Sequence, residues 1–274
     1  YNRKPRGDGS GYVEATYGRF SRIDVKGAFD LGLVEDQLAM RVSGFSNHKD
    51  GYVKRLDFAC VNPAEAGNIP RIGSADSCEI GREGGVSNWG VRGALRYTPS
   101  PDVEVNIAVD RTVDKSDPTA TGLFYVYAPF GAATYDGDPA GTPWDTRFIP
   151  DDPYTNYSTY RNTVSGFSSG AQTLTRSWGI SGDIDWDVGE SFNLRSITGY
   201  RELEAQAGFD QDGSPIGVAT TLIDNRYNQF TQELRLSGTA DIADWTVGGF
   251  YYDARGWINN TINSGPTQFI TDDP

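Results

Sequence analysis

The stretch that decides the fold runs from Trp89 to Thr112 and reads WGVRGALRYTPSPDVEVNIAVDRT. On both sides of the central TPSPD, apolar residues alternate with polar ones, which is the period of a β-strand with one apolar face and one polar face. Proline interrupts strand pairing and favours turns, so TPSPD marks a reversal of the chain. The stretch therefore predicts a β-hairpin with all its apolar side chains on one side.

The composition indicates an all-β protein without a nucleic-acid partner. The 274 residues include 33 Gly, 15 Tyr and 6 Trp but one Met and one His, a usage that suits strands and turns better than packed helices. A net charge of -13 leaves too few clustered cations to neutralise nucleic-acid phosphates. No apolar run reaches the roughly 18 residues of a membrane-spanning helix, although strands that cross a membrane give only a weak hydropathy signal.

Alternation with period two recurs along the chain and predicts about nine strands. It is clearest in RSWGISGDIDWDV, where Trp and Ile residues fall on one side and Asp183, Asp185 and Asp187 on the other. A solvated row explains these three aspartates better than a metal site. In FNLRSITGY the pattern is blurred, because Ser196 and Thr198 share the parity of Phe192.

The connections between predicted strands alternate in length. Short turns are predicted at 34–37, 98–102, 188–191 and 239–244, and long polar segments at about 49–86, 115–175, 205–226 and 255–274. A secreted β-sandwich would explain the strands but not this alternation. An antiparallel up-and-down transmembrane β-barrel explains both, with short periplasmic turns, long extracellular loops, and the parity of Ile23, Val25 and Phe29 facing lipid.

Several phrases resemble TonB-dependent outer-membrane receptors. YNRKP at 1–5, followed closely by GSGYVEATYGRFSRIDVKGAFDLGLVEDQLAMRVSGF, is similar to the junction of plug and barrel in that family. DGYVKR, RSITGYRE, FTQELRLSG and DWTVGGFYYD extend the resemblance over nearly the whole chain. The family fold is a barrel of roughly 22 strands around a plug. Residues 1–9 are then expected to be the plug end and linker, and residues 10–274 the N-terminal part of a barrel, so the chain is expected to be a segment of a longer protein.

The resemblance implies active uptake of a scarce solute, such as a ferric siderophore or a saccharide, across the outer membrane of a Gram-negative bacterium. The implied partners are outer-membrane lipid, the solute, and a TonB-type energy-transducing protein acting through a plug absent from this sequence, with a surface lipoprotein as a further candidate. A passive porin or structural barrel is the alternative, and a secreted sugar-binding β-sandwich comes third.

No residue pattern in the sequence predicts an enzyme, a cofactor or a metal site. His48 is the single histidine and is expected to be structural or solvent-exposed. The segments DQDG at 210–213 and DGD at 136–138 are similar to calcium loops but lack the distal glutamate. Cys60 and Cys78 bracket a stretch rich in Pro, Gly, Ser and Asn, without histidines that could complete a zinc site, which predicts a loop disulfide.

The segment after the fifth predicted strand is the candidate ligand-binding region. It interleaves aromatic rings with polar residues, and such rings stack on sugars or aromatic siderophores while polar neighbours bind their edges. Self-packing of a long ordered loop is an equally good explanation of the same aromatics. The candidate ligand-binding residues are Tyr125, Tyr127, Trp144, Arg147, Tyr154, Tyr157, Tyr160 and Arg161.

Overall fold

The computed structural model describes residues 3–126, 146–163, 165–264 and 268–272, and in this part of the chain the fold is almost entirely β. Ten strands form one antiparallel sheet, and three short strands form a second, smaller sheet. None of the described helices is long and apolar enough to cross a membrane.

The strands of the large sheet pair in chain order, so that the sheet runs up and down. Its strands are β1 (Gly11–Gly18), β2 (Arg22–Val34), β3 (Leu38–Lys49), β6 (Val86–Ser100), β7 (Val103–Asp114), β9 (Thr173–Val188), β10 (Phe192–Asp210), β11 (Ala219–Ala240), β12 (Ala243–Ser264) and β13 (Gln268–Asp272). The first nine correspond to the nine predicted strands, and β13 is additional. The all-β, antiparallel, up-and-down prediction is confirmed, and we call this sheet the wall.

The long connections contain the remaining elements. The small sheet has the order β5, β4, β8, formed by β4 (Val53–Leu56), β5 (Glu79–Glu83) and β8 (Thr155–Asn156). A one-turn helix, α1 (Phe58–Val61), follows β4, and a 3₁₀ helix spans Thr146–Phe148. These elements lie between the wall strands in sequence but outside the wall in space.

The hairpin predicted from Trp89 to Thr112 is formed by β6 and β7. Trp89 lies opposite Val113, Leu95 opposite Ile107 and Tyr97 opposite Val105. The register shifts between Tyr97 and Ser100, so the proline-containing turn is accommodated by an irregularity at the end of β6.

One face of the wall carries a largely apolar surface, interrupted by Ser196, Thr198 and Gln232, which we call the apolar belt. Strand pairing aligns Val105, Ile184, Ser196 and Leu234, and the row beside it aligns Val103, Trp186, Leu194, Leu236 and Val247. Leu234 is 50% exposed, whereas a leucine in the core of a soluble protein is covered. No second sheet covers this face in the described residues, so the β-sandwich alternative does not fit.

The opposite face of the wall is charged. Arg92 pairs with Asp110 at 3.1 Å, and Arg195 pairs with Asp183 at 2.9 Å. The Asn193 amide donates to both neighbouring aspartates of the predicted row, Asp185 and Asp187, at 2.6 and 2.8 Å. The three aspartates thus lie in one polar row, as predicted, and contact side chains of the neighbouring strand. In a partial barrel, this polar face is the interior.

Two segments predicted as long loops are largely strand. In the 205–226 segment, β10 continues to Asp210 and β11 begins at Ala219, and Ala205 pairs with Asn225. In the 255–274 segment, β12 continues to Ser264 and β13 pairs with it. The reason is that backbone pairing continues where polar and apolar side chains are mixed on both faces, so the strand persists after the alternation has ended.

The N-terminal segment lies on the polar face of the wall. The Arg6 backbone N–H donates to the Asp30 carboxylate at 3.0 Å, and Asp30 also pairs with Arg41. Lys4 pairs with Glu104 on β7. A side chain at Gly32 would place its Cβ 2.9 Å from the Gly7 carbonyl oxygen, so glycine permits this close approach. The predicted linker therefore crosses the interior face.

Candidate functional site

The long connections fold together at one end of the wall into a structure that we call the cap, formed by residues 50–85, 115–126, 146–163, 165–172 and 211–218. Its apolar core consists of Phe58, Ile69, Phe148, Tyr157 and Ile216. The Phe58 ring meets the rings of Phe148 and Tyr157 edge to face, with centroids 5.1 Å apart in both pairs. This core unites three connections that are far apart in sequence.

The first connection carries the predicted disulfide. Cys60 and Cys78 are bonded, which confirms the prediction. Asp57 precedes α1, and its carboxylate accepts the backbone N–H of Cys60 at 3.2 Å. The same carboxylate accepts the N–H groups of Ile72 and Gly73 at 2.7 and 2.6 Å. The disulfide and Asp57 together hold this connection against the core residue Phe58.

A buried carboxylate joins the first two connections. Glu83, at the end of β5, is fully buried and accepts hydrogen bonds from the Tyr160 hydroxyl and the Asn156 amide, both at 2.8 Å. It also accepts the Thr121 backbone N–H at 2.9 Å. The Arg55 guanidinium lies 5.0 Å from the centre of the Tyr160 ring. Burial and the neighbouring Glu83 raise the pKa of Tyr160, so its hydroxyl remains a neutral donor.

The DQDG segment joins the third connection to the second. Asp210 accepts the backbone N–H groups of Thr159, Tyr160 and Gly213 at 2.9–3.1 Å. Burial, followed by the charge of Asp212, raises the pKa of Asp210 to about 7. Burial also raises the pKa of Asp212, which accepts the N–H of Ala219 at 2.6 Å.

Both aspartates of DQDG thus bind backbone N–H groups rather than pointing to a shared ion. Among the described residues, no three His, Cys, Asp or Glu side chains are grouped as metal ligands. The DGD segment at 136–138 lies outside the described residues.

Two of the predicted ligand-binding tyrosines belong to the cap interior. Tyr157 is in the apolar core, and Tyr160 is buried against Glu83 and Arg55. Their positions match the self-packing explanation of the loop aromatics. Cores of this kind have no period along the sequence, so the sequence pattern did not separate these two tyrosines from the exposed ones.

The other predicted ligand-binding residues that are described lie on the cap surface. Tyr125 is 72% exposed and Tyr154 is 60% exposed, and Arg161 is exposed. Arg147 is half-buried, and it donates to the Glu65 carbonyl oxygen at 2.6 Å. Tyr127 and Trp144 lie outside the described residues.

Sequence reasoning missed one exposed aromatic beside these residues. Phe124, directly before Tyr125, is 82% exposed. Phe124 and Tyr125 thus place two adjacent rings on the cap surface. The signal in the sequence was the LFY triplet within an otherwise polar segment.

His48, at the cap end of β3, has its imidazole Nε2 3.4 Å from an Asp50 carboxylate oxygen, and it is largely exposed. This position agrees with the expected structural or solvent-exposed role. What the described part of the site offers is non-covalent recognition: exposed rings and an arginine on the cap, and a charged interior on the wall below it.

Comparison with known proteins gives one kind of match. No protein-family model matches the sequence, and no curated protein matches it. Among solved structures, the chain is similar to the ferric yersiniabactin uptake receptor FyuA from Yersinia pestis, with a TM-score of 0.60 and 15% sequence identity. The match covers 97% of this chain and 34% of that receptor, so the chain spans about a third of its length. The similarity confirms the suspected receptor-type fold, a partial barrel.

Proposed function

We propose that this chain forms part of the wall and the extracellular cap of an outer-membrane receptor that takes up a scarce solute with energy from a TonB-type partner. The observation that carries the proposal is the inverted polarity of the wall, which presents leucine, isoleucine and tryptophan outwards and ion pairs inwards. A sheet with this polarity is stable where lipid covers its apolar face.

The height of the apolar belt supports a membrane position. On β10 the outward side chains from Phe192 to Tyr200 span about 26 Å along the strand, at roughly 3.3 Å per residue. Aromatic pairs mark both ends: Phe192 with Trp245, at 6.1 Å between ring centres, and Tyr200 with Trp178, at 5.5 Å. Outer-membrane barrels have an apolar band about 25 Å tall between two aromatic girdles, and their strands tilt by about 35–45°, so 26 Å along a strand corresponds to a height of roughly 18–21 Å, most of that band. The cap, formed by the long connections, would then be extracellular.

The linker favours an energised receptor over the passive porin. Residues 3–9 cross the interior face of the wall and are held there by Asp30 and Glu104. A porin needs an open lumen, whereas a receptor has a plug whose end leaves along the interior wall. A TonB-type protein would act on that plug, and a surface lipoprotein partner stays a prediction.

The solute would bind to the exposed rings of the cap. Phe124, Tyr125 and Tyr154 offer flat apolar surfaces, and Arg161 offers charge-assisted hydrogen bonds. This combination suits an aromatic, negatively charged ferric siderophore, and the similar receptor FyuA takes up ferric yersiniabactin. Tyr127, Trp144 and Arg147 complete the proposed set. A saccharide is the alternative solute.

Uptake by cells that express the full-length protein tests the proposal. Cells lacking their own receptors would be given radiolabelled iron bound to catecholate, phenolate or hydroxamate siderophores, and labelled maltodextrin in parallel. We expect uptake of one siderophore class, and loss of that uptake in a strain without the energy-transducing protein. Uptake that continues without that protein would favour the porin alternative.

A paired substitution tests the assignment of the cap. Replacing Tyr125 and Tyr154 together by alanine should weaken solute binding about fivefold to tenfold, because two stacking surfaces are lost. The matched control is Tyr17→Ala, since Tyr17 is 84% exposed at the tip of β1 on the outward face. Equal effects of both changes on binding would contradict a binding role for the cap tyrosines.

A further inference from the structure

A groove lies on the outward face of the wall, immediately beyond the apolar belt on the side of the cap. Two neighbouring rows of paired residues form it. The first row consists, in order across the strands, of Arg111, Trp178, Glu202, Asn228 and Arg255. The second row consists of Arg176, Glu204, Arg226 and Trp257. The groove has a volume of about 650 Å³. We call it the arginine groove, defined by Arg111, Arg176, Arg226, Arg255, Trp178 and Trp257.

The arginine groove concentrates arginines on an acidic protein. Four arginines and two glutamates line it, and Asp224 and Asp253 lie beside it, whereas the whole chain has a net charge of -13. These arginines come from four different strands, β7, β9, β11 and β12, and strand register brings them into two neighbouring rows. Such a concentration of guanidinium groups favours a negatively charged ligand at this position.

Three of the four groove arginines, Arg111, Arg226 and Arg255, pair weakly or not at all with protein carboxylates, whereas Arg176 pairs with Glu204 at 3.2 Å. No carboxylate pairs with Arg111 in the described part of the chain. Arg226 is 3.9 Å from its nearest carboxylate oxygens, and Arg255 is 3.6 Å from Asp253. On the interior face, by comparison, Arg195 lies 2.9 Å from Asp183. A guanidinium has five donors, so the groove arginines retain donors for an external anion.

The groove lies at a boundary between apolar and charged surface. The row directly below it contains Ile180, Tyr200 and Phe230, which are part of the apolar belt. Trp178 donates its indole N–H to Glu202 at 2.7 Å, and Arg226 lies 5.6 Å from the centre of a Trp257 ring. Tryptophan prefers this position, where one end of the ring is apolar and the other is hydrated.

We propose that the arginine groove binds the phosphate-bearing headgroup of a lipid from the extracellular leaflet, whose acyl chains lie along the apolar belt. An arginine guanidinium donates bidentate hydrogen bonds to phosphate oxygens, and the aromatic residues of the row below contact the acyl chains. The proposal rests on the membrane position of the wall given under the proposed function, and it does not depend on the solute.

Lipid retention by the full-length protein tests the groove. The protein would be reconstituted in phosphatidylcholine bilayers with or without a minor fraction of lipid A, and bound lipid measured by native mass spectrometry. We expect preferential retention of lipid A by the wild type. The triple substitution of Arg111, Arg226 and Arg255 by glutamine should weaken that retention about tenfold or more.

The matched control removes three exposed cations from the cap instead, by Lys54→Gln, Arg71→Gln and Lys115→Gln. It produces the same change in net charge, and lipid A retention should be unchanged. Equal losses in the two triple variants, or no loss in the groove variant, would overturn the proposal. Competition by inorganic phosphate alone, without lipid A preference, would also overturn it, because the groove would then bind free phosphate rather than a lipid.

The failures of the two proposals are distinguishable. A protein that does not insert into bilayers would contradict the proposed function itself. A protein that inserts and takes up solute but retains no lipid A would contradict the groove assignment alone.

Discussion

The cap and the wall solve the problem of apolar surface in opposite ways. The cap buries it: Phe58, Phe148 and Ile216 are almost completely enclosed, as in a small soluble domain. The wall displays it on the outward face and keeps its ion pairs on the interior face. Under the proposed membrane position, one chain contains two regions stabilised by two different solvents, water around the cap and hydrocarbon around the belt.

The strongest test of this comparison removes the centre of the cap core. Phe148→Ala should destabilise the cap by about 3–5 kcal/mol, because a fully buried ring is replaced by a cavity. Hydrogen exchange should accelerate at cap amides such as Tyr52 and Asp57, while the wall strands keep their protection. Phe124→Ala is the control, since its exposed ring should cost less than about 0.5 kcal/mol. Loss of protection throughout the wall would show that the two regions are not energetically separate.

The next test places a charge in the middle of the apolar belt. Leu234→Arg should destabilise the folded protein in bilayers by about 2–4 kcal/mol, because the guanidinium loses its hydration near the bilayer midplane. Urea titration of the protein in phospholipid vesicles measures the change. The matched control is Ser181→Arg on the interior face, where Gly199 and Ala108 lie opposite and leave space. If the two arginines cost the same, the outward face does not contact lipid.

The smallest expected effect is a dependence of the stability of the cap on pH. The pKa of Asp210 in the folded cap, about 7, lies above its ordinary value of 3.8, so the folded state holds this proton more tightly. The stability of the cap should therefore be greatest near pH 4 and fall as pH rises towards 7, by at most about 1.4 kcal/mol per pH unit.

Hydrogen exchange at the amides of Thr159 and Tyr160, which donate to Asp210, measures this dependence. Asp210→Asn should flatten it, and Asp151→Asn, at an exposed site, should leave it unchanged. A cap that becomes more stable between pH 5 and pH 7 would contradict the raised pKa.

The wall could be predicted from the sequence because the alternation of apolar and polar residues along each strand indicates which side chains share a face. The alternation around Trp178 and Ile184 survives in the structure, and even the blurred strand is regular, since Ser196 and Thr198 face outwards beside Leu194. The pattern fails where β10, β11 and β12 continue beyond the belt, and at β13. There polar and apolar residues are mixed on both faces, and backbone pairing leaves no trace in the residue types.

The cap could not be predicted in the same way. Phe58 and Phe148 are 90 residues apart, and their contact depends on how three connections meet rather than on any local period. Glu83 and Tyr160 form their hydrogen bond across a similar distance in sequence. The sequence could indicate that the second connection was rich in rings, but only the structure separates Tyr157 and Tyr160 inside from Tyr125 and Tyr154 outside.

The attachment of the N-terminal segment has a mechanical consequence. A force pulling on the chain ahead of Arg3 would meet the ion pair of Lys4 with Glu104 first and the hydrogen bond of Arg6 to Asp30 next, so these two contacts would break one at a time. The wall strands, by contrast, share a load along their length over many backbone hydrogen bonds at once. We therefore expect the N-terminal segment to detach under tension at a force that leaves the wall strands paired.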